Sequence, residues 1–568
     1  PYYSFQGASN MQVSTCWTQG LPLGDTLRVL QRIAYRLSQR AGEDGVRLYG
    51  HIQRQEWIQV LNFEVVYREE SDVEQLIALR QLLALYQKLE PLVVPGIDKE
   101  RVAFDTWAAA ENECSETNRF FRGLSSGTVH MVPRDVVVFD RARRILQRLL
   151  GAAPRICELR PRFGPGSTST VKRQCSTAPF KLGERPSCSE NLLNSQYRSE
   201  FFNWSPHWLA CHEDSSYIDE DGWEVAKVTV DIATGILEFV PKNAKTYRSI
   251  DKQPTLNTVW QAAVGDFMTA RLGRRGVNLR DQSINNARAA IGSIDGSTAT
   301  IDLSSASDLI SYELVKALLP DDWFRLLRSL RTSTTTYKGK EYRLNKFSAM
   351  GNGFTFPLQS AIFYALSLAS LPADATSRYV TVFGDDIVIP SEHYDVVVRT
   401  LHLCGFKVNT TKSFWSGPFR ESCGKDYFKG INIRPYYQKD LVSGKTLFSM
   451  HNFFVANYDD EMCRLVKTFL PTPIRLYGPM GYGDGHLHSQ MWPFMAARHG
   501  WGGVFFNTYS IRGEFVVSPY YGDYVSPLYV VYVQEPSPPL ERTGLSFLKD
   551  GRPQWPIPSR GNEYEVKR

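Results

Sequence analysis

The sequence predicts an α+β fold, and three observations carry that prediction. Residues 25–92 show long stretches of helical periodicity, 299–320 reads as a strand followed by a helix, and 379–390 reads as an apolar hairpin. At 568 residues the chain is too long for one compact core, so several packed subdomains are expected.

The composition, 43% hydrophobic and 22% charged, is that of a globular chain and excludes a disordered one. Aromatic residues make up 12%, which suits large packed surfaces or base stacking. A formal charge of +6 permits a polyanionic partner without demanding one, so local clustering decides. The nine cysteines (Cys16, Cys114, Cys157, Cys175, Cys188, Cys211, Cys404, Cys423 and Cys463) include no C-x-x-C pair. An odd, dispersed set points to free thiols in a reducing cytoplasm rather than a disulfide framework. Cys175, Cys188, Cys211 and His212 match no standard zinc spacing. The first residues lack a basic region followed by an apolar run, so no signal peptide is expected. The longest apolar run, 361–371, is about half of what a membrane span needs. A soluble, intracellular protein with no membrane partner is expected.

From residue 25 to about 92 apolar residues recur at three and four. Leu27, Leu30, Ile33, Ala34 and Leu37 form one stripe, and Val73, Leu76, Leu79, Leu82, Leu83 and Tyr86 form another that Pro91 and Pro95 close. These read as scaffold helices. Residues 134–173 are basic (Arg134, Arg141, Arg143, Arg144, Arg148, Arg155, Arg160, Arg162, Lys172, Arg173) around the loop 163–169, FGPGSTS. Such a loop reads either as a phosphate cradle of backbone N–H groups or as a flexible connection beside a solvated helix face.

At 240–257, VPKNAKTYRSIDKQPTLN, Lys242, Lys245 and Arg248 come at three-residue intervals, followed by Lys252. On an extended ribbon they could line one channel and neutralise a triphosphate; as a plain charge run they would be solvated. Arg271, Arg274, Arg275, Arg280 and Arg288 form a second cluster. In 299–320, ATIDLSSASDLISYELVKALLP, Asp302 sits where a buried strand leaves the sheet. Ser304, Ser305 and Ser307 read as N-caps of a helix that turns Leu309, Ile310, Leu314, Val315 and Leu318 inward. Asp302 is then either a ligand-facing acid at a strand end or another helix cap.

The run 347–371, FSAMGNGFTFPLQSAIFYALSLASL, joins a glycine loop to an apolar helix with Pro357 in its first turn. Gly351 and Gly353 would let the backbone approach a nucleotide or template strand closely, or simply make the turn. In 379–390, YVTVFGDDIVIP, two β-branched runs flank Gly384-Asp385-Asp386, hairpin chemistry that displays two adjacent acids at its tip. Adjacent carboxylates repel unless a cation lies between them, and hard oxygen ligands suit Mg²⁺ or Mn²⁺. Taken alone, the tripeptide reads equally as an exposed turn. A helix follows, ended by Gly405, then a strand at 406–408, the turn 409–412 carrying Lys412, and an aromatic strand after 419. Beyond about 433 the chain is rich in Tyr, Pro, Gly and Trp, and from 535 it is Pro- and charge-rich, which predicts a partly extended end.

In this order PKNAKTYR, IDLSSASDLISYELVK, MGNGFTF, FGDDIVIPS and GPFRESCGK resemble the palm of a template-dependent RNA polymerase. The match is to the replicase catalytic subunit of small positive-strand RNA bacteriophages, the leviviruses. It runs from about 241 to 427 and weakly on through GYGDG at 481–485. The resemblance implies a right-hand architecture with an antiparallel-sheet palm backed by helices. Its implied parts are an N-terminal region and fingers over 1–230, fingers with the basic ribbon over 231–295, palm over 296–432, and thumb with C-terminal extension over 433–568.

By the same resemblance Asp302, Asp385 and Asp386 are the metal carboxylates of an RNA-directed RNA polymerase. Nucleotidyl transfer calls for two divalent ions about 3.5–4 Å apart, one activating the 3′-hydroxyl and one neutralising pyrophosphate. Mg²⁺ is the expected ion, with Mn²⁺ able to substitute. Lys242, Lys245 and Arg248 match the grip on the incoming triphosphate, and Asp308 matches the acid that senses the ribose 2′-hydroxyl. Lys412 matches a lysine that protonates pyrophosphate. Where many RNA polymerases carry an Asn as partner to the sugar-sensing acid this chain has Gln359, so that role falls to Gln359 or Asn352. Gly351 and Gly353 would approach the template. The resemblance further implies RNA template and NTPs as partners and primer-independent initiation. It also implies host elongation factors Tu and Ts with an OB-fold ribosomal protein, in the cytoplasm of an infected bacterium. A reverse transcriptase shares the palm chemistry, but Gly rather than Tyr-x precedes the two acids and no RNase H-like segment is evident. A non-catalytic RNA-binding protein would explain the basic clusters but not acids at two strand ends.

Overall fold

The computed structural model describes residues 17–173, 176, 178–195, 197, 212–218, 220–222, 224–372, 379–493, 495–496, 504–511, 546–547, 553–554 and 564–567. Cys16, Cys175, Cys211 and most of the chain beyond 511, including most of the expected extended end, lie outside the described residues. Cys114, Cys157, Cys188, Cys404, Cys423 and Cys463 are free thiols. Among the described residues no helix is long and apolar enough to cross a membrane.

The N-terminal periodicity folds as expected. Helices Leu23–Arg40, Gly42–Gln53 and Val73–Gln87 bury Leu30, Ile33, Leu37, Leu79, Leu82 and Tyr86, and Asp72 caps the last by accepting from the Gln75 N–H at 2.9 Å. Their core is completed from the far end of the sequence by helices Gly444–Ala456 and Asp460–Thr468, which contribute Leu447, Phe448, Phe454, Met462 and Val466. The second core runs from Ala110 to Phe406 and takes in helices Lys99–Ser126 and Pro133–Leu150. Among the described residues hydrophobic packing thus changes near 95 and near 435, and the first core draws on 17–94 and 442–509 together with Ala244. The breaks expected after 230, 295 and 432 follow motif order rather than hydrophobic packing.

Two cations of the basic segment, Arg141 and Arg162, make contacts across the fold, while Arg134, Arg143, Arg144, Arg148, Arg155, Arg160, Lys172 and Arg173 are exposed. Arg141 donates to the carbonyls of Ala369 (3.3 Å) and Pro372 (2.9 Å), at the C-terminal end of helix Thr355–Ser370, where a cation offsets the exposed carbonyls. Arg162 pairs with Asp266 through two bonds of 2.6 and 3.0 Å. The 163–169 loop turns carbonyls, not N–H groups, inward: Gly164 O and Gly166 O accept from the buried Lys181 at 2.5 and 2.6 Å. The N–H groups of Thr168 and Ser169 go to Val171 O and Gln253 O. Thr168 and Ser169 therefore spend their N–H groups inside the protein.

Strands Thr381–Phe383 and Asp386–Pro390 form the expected hairpin around Gly384-Asp385, and its second strand pairs antiparallel with Thr298–Ile301. Val382, Ile387, Val388 and Ile389 are buried on this sheet, with Ala299 and Ile301 opposite. On the other edge Thr300 bridges to Phe414, and Leu303–Ser304 pairs with Lys407–Val408. Pairing past Asp302 overrides the expected capping. Ser304 is in a strand, Ser305 takes φ +52 in a turn, and the helix starts only at Tyr312 with Ser311 as N-cap. Leu309, Ile310, Leu314, Val315 and Leu318 are nonetheless all buried. The basic ribbon is a hairpin, Gly235–Pro241 with Tyr247–Lys252, extended by Thr334–Tyr337 and Lys340–Arg343 into four strands. The architecture is α+β, with an antiparallel three-stranded sheet against helices Thr355–Ser370 and Ser283–Asp295.

Candidate active site

The acids come together through register. Ile301 pairs with Ile387, so continuing the ladder by one residue sets Asp302 opposite Asp386, on the same face, with Asp385 at the adjoining turn. The turn is anchored from below. Gly384 has φ +66 and donates its N–H to Ser360 Oγ at 3.0 Å, and any Cβ there would collide with the Phe356 ring at 2.8 Å. The residue before the acids must therefore be glycine for two reasons, conformation and contact with the helix beneath it.

Asp302 is gripped from the strand beside it. Asn409 donates to Oδ2 at 2.9 Å, and Ser413 Oγ meets its backbone N–H at 3.1 Å. Burial is the main reason its carboxyl is raised to about 6, with Asp385 adding repulsion and Lys412 and Asn409 opposing. Asp386 is raised to about 7, again mainly by burial, while the Cys423 N–H stabilises its charge and Asp385 and Asp302 repel it. Cys423 holds φ +48 in the turn before Gly424, and burial and Asp386 push its thiol up to about 12.

Facing the acids is a cationic group. Lys242 lies in the turn of the ribbon, and its ammonium is disfavoured first by burial, then by Arg248 and Lys412, while Asp302 and Asp308 favour it. Lys242 thus interacts electrostatically with Arg248, Lys412, Asp302 and Asp308. Lys245 departs from this group and donates to Asn62 Oδ1, after helix Trp57–Leu61. No sequence pattern singles out Lys88, at the end of helix Val73–Gln87, whose Nζ sits 3.7 Å from the centre of the Tyr437 ring. Its pKa falls to about 8, mostly through burial, with Arg434, Lys412 and Lys439 adding to the effect. It read as one scaffold residue among others, and only the joining of the two chain ends brings it here.

Asp308 accepts from Ser249 Oγ at 3.0 Å and from the buried Lys346 at 2.9 Å. Gln359 is buried beneath the Gly384 turn with Oε1 unpaired, whereas Asn352 turns its Oδ1 to the N–H of Phe354 at 3.3 Å, capping its own turn. Of the two, Gln359 has an unused acceptor. Gly351, at φ +114, presses on the carbonyl of Asp251, and a Cβ on Gly353 would lie 2.8 Å from Ala262 N. Their close approach is to the protein's own backbone, while their other faces are exposed. The GYGDG segment is held in the 444–456 helix region, Asp484 accepting from Ser449 and Asn452 at 3.1 and 3.0 Å.

Among the described residues no set of three or more His, Cys, Asp or Glu forms a ready-made metal cage. The donor set still fits hard divalent cations. Three carboxylates on neighbouring strand ends are partly desolvated, two of them titrate far above the ordinary range, and the charge that would relieve them is positive.

A profile of the family described as "RNA replicase, beta-chain" matches residues 74–455. The chain is 34% identical over 433 residues to the RNA-directed RNA polymerase subunit beta of Escherichia virus Qbeta, covering 72% of this chain and 68% of that one. It is 45% identical over 203 residues to the RNA-directed RNA polymerase beta chain of Escherichia phage MS2, 36% of this chain and 37% of that one. Among solved structures it resembles the RNA-dependent RNA polymerase of a human picorbirnavirus at a TM-score of 0.40 and 13% identity, over 74% of this chain and 87% of that one.

Proposed function

The chain belongs to the RNA replicase beta-chain family and is an RNA-directed RNA polymerase, a nucleotidyltransferase acting on an RNA template and NTPs, and from that premise we propose how its residues share the reaction. It copies a single-stranded RNA phage genome, NTP + RNA(n) giving RNA(n+1) + pyrophosphate, with primer-independent initiation. The observations that support the mechanism are the Ile301–Ile387 register, which continues to Asp302 and Asp386, and the electrostatic interaction of Lys242 with Asp302, Arg248 and Lys412.

Asp302, Asp385 and Asp386 would hold two Mg²⁺ ions, which when bound activate the 3′-hydroxyl and neutralise the leaving pyrophosphate. Lys242 and Arg248 receive the triphosphate in an electrostatic grip. Lys245 supports the ribbon through Asn62 instead. Lys412 sits at the end of the turn fixed by Asn409 and gives its proton to pyrophosphate as it leaves. Asp308 accepts the ribose 2′-hydroxyl, with Gln359 as its partner. The exposed faces of Gly351 and Gly353 border the template. Residues 296–432 act as palm, 231–295 with part of the N-terminal region as fingers, and 433 onward as thumb. Host elongation factors Tu and Ts and an OB-fold ribosomal protein complete the enzyme in the bacterial cytoplasm.

The test is Mg²⁺-dependent NTP incorporation on RNA by the protein purified from a bacterial host, alongside Asp385→Ala. The variant should lose at least ~10³-fold of its synthesis while RNA binding persists, and co-purifying bands would report the partners. Normal synthesis by Asp385→Ala would remove the assignment of the site.

A further inference from the structure

Lys346 is a lysine with only 1% of its side chain exposed, an expensive position for a cation unless it is paired. It is paired twice, to Asp308 Oδ1 at 2.9 Å and to Glu111 Oε1 at 3.3 Å, and its Nζ also lies 5.0 Å from the centre of the Trp107 ring. The surrounding backbone is held as firmly. Arg331, itself buried, donates to Lys346 O at 2.9 Å and Phe347 O at 2.7 Å. Glu111 Oε2 accepts the Asn345 N–H at 2.6 Å, and Asn118 donates to Asn345 O at 2.8 Å. Helix Lys99–Ser126, which supplies Trp107, Glu111 and Asn118, also reaches the Asp308 carbonyl through Cys114 Sγ at 3.3 Å.

The result is asymmetric for Asp308. Oδ1 is committed to a cation that cannot move, whereas Oδ2 meets only the Ser249 hydroxyl at 3.0 Å. The side chain keeps 15% of its surface, and with Oδ1 held by Lys346 it is Oδ2 that is left for a substrate hydroxyl. We infer that Lys346, braced by Glu111 and assisted by Ser249, is a positioning residue that fixes the Asp308 carboxylate and thereby sets how strictly this polymerase prefers ribose over 2′-deoxyribose. The inference rests on the reading of Asp308 as the sugar-sensing acid. A fixed acceptor rewards the hydroxyl that meets it, and a carboxylate free to rotate can be satisfied by water when the hydroxyl is missing.

The experiment compares kcat/KM for an NTP and its 2′-deoxy counterpart on one RNA template, using the full-length enzyme. Asp308→Ala should reduce the ratio by about 100-fold. Lys346→Met should reduce it by about 10-fold and Ser249→Ala by about 3-fold, with Lys346→Arg recovering part of the loss. Because Lys346→Met leaves Glu111 buried and unpaired, Lys346→Met/Glu111→Gln is made alongside it, and if neither folds Ser249→Ala decides. A general loss of packing would lower both rates together and leave the ratio alone. If Asp308→Ala collapses the ratio while the Lys346 and Ser249 variants hold it within two-fold, the positioning role is overturned and the reading of Asp308 stands. If Asp308→Ala leaves the ratio unchanged, both fall.

Discussion

Asn409 holds Asp302 by two bonds of equal length, its Nδ2 donating to Oδ2 and its backbone N–H to the Asp302 carbonyl, each at 2.9 Å. The first stabilises the carboxylate form of an acid that burial otherwise drives toward protonation, and the second fixes the turn whose last residue is Lys412. Asn409→Ala removes the side-chain bond, so the Asp302 carboxyl should rise further above about 6. The acid limb of the pH–rate profile should then move to higher pH by about half to one unit, read from NTP incorporation at fixed Mg²⁺. A limb that stays in place would mean that Asp302 does not limit the rate there.

Stability should respond to pH in the unusual direction for carboxylates. The folded-state values of Asp302 and Asp386, about 6 and about 7, lie above the ordinary range, so between about pH 4 and 7 the folded chain binds protons the unfolded chain has released. Stability from these groups therefore falls as pH rises through that window, and Asp251, buried and raised to about 7, adds to the same slope. Only the first two should answer to metal. Adding Mg²⁺ at pH 8 should raise Tm by about 2–4 °C and at pH 5.5 by much less, because protons then occupy the acids. An equal rise at both pH values would separate metal binding from these residues.

Much of the site could be read from the sequence because its signals are local. Alternating β-branched residues around Gly384 gave the hairpin, and the apolar run after Pro357 gave the helix beneath it. Local reasoning failed where distant pairing decides: Leu303–Ser304 is drawn into a strand by Lys407–Val408, so three serines that resemble caps are not caps. Lys88 and Lys346 escaped for a related reason. Each is a single lysine, one ending an apolar helix and one preceding an apolar run, and their partners Tyr437 and Glu111 are remote in sequence. That Asp302 and Asp385 converge was an expectation from resemblance, since no spacing rule relates two strands so far apart.

Gly351 and Gly353 separate a packing role from a template-binding one. Gly351 has φ +114 and faces the Asp251 carbonyl, on a strand that also donates its Asp251 N–H to Met350 O at 2.7 Å. Alanine there meets both a disfavoured conformation and a backbone atom that cannot swing aside. Gly351→Ala should cost about 2 kcal/mol or more, measured as a fall in the denaturation midpoint, while folded protein keeps its RNA affinity. Unchanged stability with weakened RNA binding would reverse the assignment.

The joining of the two chain ends predicts which helices unfold together. Phe448 is fully buried against the stacked Trp17 and Tyr509 rings, at 6.2 and 6.1 Å, in the core shared with Leu30 and Leu82. Polar contacts cross the same boundary: Arg40 pairs with Asp459 at 2.7 Å, and Gln81 exchanges two 2.9 Å bonds with the backbone of Tyr436. Phe448→Ala should cost about 3–5 kcal/mol through lost contacts and the cavity left behind. If the two ends form one cooperative unit, hydrogen exchange in the variant should accelerate in Leu23–Arg40 and Val73–Gln87 as well as in Gly444–Ala456, while Thr255–Arg274 stays protected. Acceleration confined to residues beyond 433 would instead make the thumb a unit of its own.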